Sequence, residues 1–122
     1  MKKYLMIGAA AAVLLSGVTA TEAMAGAEGK CKACHTFEQG GKNRMGPNLF
    51  GILGKRAGST KDYRYGKYLE GADFTWNEDA VRKWIFDSKG VAKAAGASTK
   101  MPSQKIDGAK ADEVIAFLKT VK

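Results

Sequence analysis

Cys31-Lys32-Ala33-Cys34-His35 brings together the only two cysteines and the only histidine of this 122-residue chain. Thiols this close would close a very small disulfide loop, which constrains the unfolded chain little, so a structural disulfide is a poor use of them. A zinc site usually takes four ligands, and here carboxylates would have to complete the set. A thiol–disulfide oxidoreductase would carry C-x-x-C beside a βαβ pattern, and no such pattern follows. C-x-x-C-H is, by contrast, the pattern that attaches haem covalently. Its spacing suits the chemistry. Two thiols add across the two vinyl groups on one porphyrin edge, and the next residue turns beneath the ring to reach the iron. Cys31 and Cys34 are therefore the candidate thioether residues, and His35 is the candidate proximal ligand.

Upstream of this segment the chain reads as an export signal. Lys2 and Lys3 give a positive start, Tyr4 to Val18 carries no charge, and Ala23-Met24-Ala25 fits an A-x-A cleavage site. The apolar run is short for a bilayer crossing, which wants about 20 residues. Residues 1–25 are thus expected to be a signal peptide, with cleavage after Ala20 as the alternative, and 26–122 one small domain. The whole chain carries a formal charge of +8. Losing the signal removes two basic residues and at most one acidic one, so the mature chain stays basic. That favours acidic protein partners or anionic surfaces. Export and the absence of any arginine-rich run argue against nucleic acid.

Downstream, Gly40, Gly41, Gly46, Gly51, Gly54 and Gly58 mark residues 36–62 as irregular loop. A short helix is expected over Gly66–Glu70. Thr75 or Asn77 can cap another, with Ala80, Val81, Trp84 and Ile85 on one face and an end near Asp87-Ser88. Asp107 can cap a last helix, with Ala111, Val114, Ile115 and Leu118 at helical spacing and Phe117 widening the stripe. Nothing alternates as a strand. Helices joined by loops this long imply that the loops wrap something functional. A haem that transfers electrons needs a second axial ligand, and without a second histidine the natural donor is methionine. Met45 follows His35 closely, whereas Met101 lies far enough downstream to wrap round the ring. Thr99-Lys100-Met101-Pro102 also sits in a polar stretch, not on an apolar helical face, so Met101 is the favoured ligand.

Taken together, Cys31-Lys32-Ala33-Cys34-His35-Thr36, Gly46-Pro47-Asn48-Leu49-Phe50-Gly51, Tyr65, Trp76 and Thr99-Lys100-Met101 resemble the class I monohaem c-type cytochromes. The resemblance is greatest to the soluble bacterial periplasmic branch related to mitochondrial cytochrome c, and it covers residue 27 to the C-terminus. It implies an all-α fold, the small cytochrome c fold of helices and long loops wrapped around one covalently bound haem c per chain. It also implies that the Pro47 carbonyl accepts the outer His35 N–H, that Tyr65 and Trp76 hydrogen-bond a propionate, and that Thr99 lies near the other propionate. The chain departs from the family pattern at several places. Ala23 and Ala27 stand where glycine and an aromatic are usual, Lys55 where an arginine binds a propionate, Trp84 for a tyrosine, and Ser103 for an aromatic at the haem edge.

The function implied is one-electron transfer through a His35/Met101-ligated haem, not enzymatic catalysis. The alternative is a small haem peroxidase or gas-binding protein with an open distal site. The implied location is the periplasm. The implied partners are acidic docking surfaces of membrane redox complexes: a quinol-oxidising cytochrome bc complex, a terminal oxidase or a photosynthetic reaction centre. The carrier itself would be a monomer. Lys30, Lys32, Lys42, Lys93, Lys100 and Lys105 are expected to border the haem edge and steer docking.

Overall fold

The computed structural model describes residues 26–122, so the expected signal peptide lies outside the described residues. Four helices run along this stretch: α1 (Gly29–Lys32), α2 (Lys67–Glu70), α3 (Glu78–Ala94) and α4 (Gly108–Thr120). No strand forms among the described residues; Arg56 and Thr75 make one isolated antiparallel bridge.

The periodic positions become the core. Val81, Trp84 and Ile85 of α3 are buried, and so are Ala111, Val114, Ile115 and Leu118 of α4, while Ala80 and Phe117 are half-buried at its margin. The two long helices pack on each other through these faces. Arg82 to Asp112 at 2.6 Å and Lys119 to Glu78 at 3.0 Å tie their exposed sides. Such surface pairs contribute less than about 1 kcal/mol each, so apolar burial holds the pair together.

Both helix starts have extended caps, but they are built differently. The Asn77 side chain accepts from Ala80 N–H at 2.8 Å. Asp107 stands at the cap of α4 with extended backbone, yet its side chain makes no capping bond. The end expected for α3 at Asp87-Ser88 is an interruption only. Asp87 leaves helical geometry (φ −148°, ψ 68°), and the helix resumes to Ala94.

The loop of residues 36–62 has no helix or strand of its own, as its glycines imply, and it is held by cross-links. Gly46 N–H donates to Cys34 O at 2.8 Å and Leu49 N–H to Thr36 O at 2.8 Å, folding Gly46-Pro47-Asn48-Leu49 back on the C-x-x-C-H turn. Asn48 pins that fold further, its amide N–H₂ donating to Thr36 Oγ1 at 2.7 Å while its backbone N–H donates to Asn43 Oδ1 at 2.8 Å. Trp76 N–H donates to Lys55 O at 2.9 Å and Gly54 N–H to Trp76 O at 2.8 Å, which fixes the tryptophan backbone.

Candidate functional site

An apolar cleft of about 230 Å³ opens between these loops and the inner faces of α3 and α4. Its walls include Cys31, Cys34, His35, Pro47, Tyr65, Trp76, Thr99 and Met101, so all eight sequence-predicted site residues meet in one place. Leu49, Ile52, Leu69, Val81, Trp84 and Ile85 supply much of its apolar surface.

The C-x-x-C-H turn follows from α1. Cys34 N–H and His35 N–H both donate to Cys31 O, at 3.1 and 2.9 Å, so the chain turns tightly and presents both thiols and the imidazole to the cleft. The thiols are free, not joined to each other. Burial pushes the Cys31 thiol above its ordinary range, and the nearby Glu28 adds to this.

His35 Nδ1 lies 2.7 Å from Pro47 O. A carbonyl only accepts, so Nδ1 carries the proton and Nε2 keeps its lone pair. Burial lowers the His35 pKa, partly opposed by that hydrogen bond, which favours the neutral ring a metal requires. Gly46 permits the arrangement, since a Cβ there would stand 2.7 Å from His35 Nδ1 and 2.8 Å from Nε2.

On the other segments, the Tyr65 hydroxyl accepts from Thr60 N–H at 3.1 Å and keeps its own proton to donate. Thr60 Oγ1 is buried there without a partner. Trp76 is buried and packs edge-on against Phe74 and Trp84, with centroids 5.1 and 5.7 Å apart. Met101 is half-buried at the cleft, whereas Met45, also on its wall, is 80% exposed. Of these two methionines, Met101 is therefore the less exposed.

Among the sequence departures, Trp84 faces the cleft and stacks on Tyr68 at 5.5 Å. Lys55 and Ser103 are not among the lining residues. Of the six lysines expected at the edge, Lys30 and Lys100 line the cleft; Lys32, Lys42, Lys93 and Lys105 are exposed without lining it. Tyr63 was not anticipated, yet it lines the cleft and its hydroxyl donates to Met45 O at 2.6 Å. Its place between two loop segments leaves no periodic trace.

No family profile matches the sequence. The chain is 38% identical to a cytochrome c2 of Rhodospirillum rubrum, over the whole of both chains. The chain is a class I monohaem c-type cytochrome. Among solved structures it is similar to cytochrome cH from Methylobacterium extorquens, at 35% identity and a TM-score of 0.58, over 77% of this chain and 91% of that one. It is also similar to cytochrome c2 from Rhodospirillum centenum, at 27% identity and a TM-score of 0.70, over 79% and 92%. The all-α cytochrome c fold is thereby shown.

As a class I cytochrome the protein carries one covalently attached haem c and transfers electrons; it is not an enzyme. The cleft fits that cofactor on its own chemistry. It combines two free thiols, an imidazole whose Nδ1 is already engaged, apolar walls, and the Tyr65 phenol, whose hydroxyl proton is free to donate. No helix among the described residues is long and apolar enough to cross a membrane.

Proposed function

We propose that this cytochrome is a diffusible periplasmic carrier that moves one electron at a time between membrane redox complexes. In this reading Cys31 and Cys34 would hold the haem by thioethers, and His35 Nε2 and the Met101 sulfur would ligate its iron. What supports it is the convergence of these four residues on one cleft, with Met101 the less exposed of the two methionines on its wall. The haem supplies a reversible ferrous–ferric couple, and Met/His ligation raises its potential.

The chain's own residues do the rest. Pro47 O orients His35 and strengthens its donor nitrogen through Nδ1. Tyr65 and Trp76 would offer a hydroxyl and an indole N–H to one propionate, with Thr99 near the other, and a propionate buried without partners would be costly. Apolar walls from Leu69, Val81, Trp84 and Ile85 keep water out and limit the reorganisation that accompanies a change of charge. Lys30 and Lys100 at the rim favour acidic docking surfaces, such as those of a quinol-oxidising cytochrome bc complex, a terminal oxidase or a reaction centre.

The test is absorption spectroscopy of the protein matured with its haem, oxidised and reduced, with carbon monoxide added to the reduced form. A c-type spectrum with a ferric sulfur-to-iron band and no response to the gas is the expected result. A response to the gas would remove Met101 as a ligand and move the gas-binding or peroxidase reading to the front.

A further inference from the structure

The break in α3 at Asp87 leaves backbone groups that a continuous helix would have paired. Lys89 and Gly90 N–H would have donated to the Ile85 and Phe86 carbonyls. Gly90 N–H turns instead to Asp87 Oδ1, at 3.0 Å. The others are taken up by one distant segment, which contains Met101. Lys105 N–H donates to Phe86 O at 3.0 Å and Ile106 N–H reaches Ile85 O at 3.4 Å. Lys89 N–H donates to Ser103 Oγ at 3.1 Å, while the Ser103 hydroxyl donates to Asp87 Oδ1 at 2.8 Å.

At the centre of this seam, Ser88 is fully buried, and its hydroxyl donates to the Met101 carbonyl at 2.8 Å. A helical serine commonly bonds back to its own preceding turn. Ser88 bonds across to another segment. Lys89 Nζ adds a further tie, donating to Thr99 O at 2.7 Å.

We infer that the broken turn of α3 is a clamp for the Met101 segment, and that Ser88 is the positioning residue which sets how readily Met101 leaves the cleft. This rests on Met101 being the axial ligand. An incoming ligand can bind the iron only when the Met101 segment has opened. Its apparent affinity is therefore its intrinsic affinity scaled by the open fraction. Deleting the Ser88 hydroxyl takes this partner from the part-buried Met101 carbonyl in the closed state only, which raises that fraction.

The experiment is titration of the ferric holoprotein with imidazole, following the sulfur-to-iron band, in wild type, Ser88→Ala, Ser103→Ala and Ile115→Val. Ser88→Ala is expected to bind imidazole about tenfold more tightly. Ser103→Ala, altered at a half-buried position, should change in the same direction by less, and it carries the test if Ser88→Ala does not fold. Ile115→Val weakens the core away from the cleft wall and should lower the urea midpoint with no change in imidazole affinity. Unchanged affinity in both serine variants, or an equal rise in Ile115→Val, overturns the clamp while leaving the ligand assignment standing. A wild type without the sulfur-to-iron band overturns the ligand assignment first, and the clamp with it.

Discussion

The 2.7 Å contact between His35 Nδ1 and Pro47 O depends on a residue with no side chain. A methyl at Gly46 would press on the imidazole, so the ring or the loop must shift and the hydrogen bond must lengthen. Gly46→Ala should destabilise the holoprotein by about 1–3 kcal/mol, the range for overpacking, as read from its urea midpoint. An unchanged midpoint would mean that the loop absorbs the methyl. Asp87 offers a second test at this scale. The Ser103 hydroxyl, the Gly90 N–H and the Lys105 charge, in that order, hold its carboxyl below the usual aspartate range. A lowered folded pKa means that the contribution is complete above the unfolded value and is lost as pH falls through the folded one. The stability gap between wild type and Asp87→Asn should therefore stay constant from neutrality to about pH 5 and narrow below about pH 4. A gap independent of pH would rule out the charge as its source.

The two long helices show how far local pattern carries. Four of the periodic apolar positions of α4 are buried as their spacing implies, because one face of a helix must meet a core. The capping signals are less faithful. The Asn77 side chain accepts from Ala80 N–H, whereas the Asp107 side chain, equally suited by residue type, makes no capping bond and only its backbone carbonyl accepts from Ala111 N–H. Asn77→Ala should accordingly cost about 1 kcal/mol in urea unfolding, and Asp107→Ala clearly less. Equal losses would show that dipole and solvation effects outweigh the capping bond. The residue where α3 breaks was legible, but its continuation to Ala94 was not. A break looks like an end unless a partner for the freed backbone groups is known, and here that partner is the Met101 segment.

For the whole molecule, the basic excess matters where it faces a partner. Lys30 and Lys100 stand on the cleft wall, while Lys32 and Lys105 rest over the rings of Phe117 and Phe86. Lys30→Gln should slow association with an acidic redox partner a few-fold at low ionic strength. The difference should vanish near 1 M salt, where screening acts over about 3 Å. Equal rates at low salt would remove Lys30 from docking. The cleft also lies against the inner faces of both long helices, so haem-free chain is expected to be largely unfolded by circular dichroism; a cooperative unfolding transition would refute this. The cofactor chemistry was readable from residues alone, because two thiols spaced for covalent attachment are followed directly by an imidazole that can reach the iron. The helical class and the core stripes followed from periodicity. The parts invisible in the sequence were Ser88 reaching Met101 across 13 positions, Ser103 joining Asp87 across 16, Tyr63 on the cleft wall, and the placing of only two of six lysines there. The reason is physical: periodicity records which face of an element is apolar, whereas the pairing of unsatisfied polar groups is fixed by which distant segment packs against them.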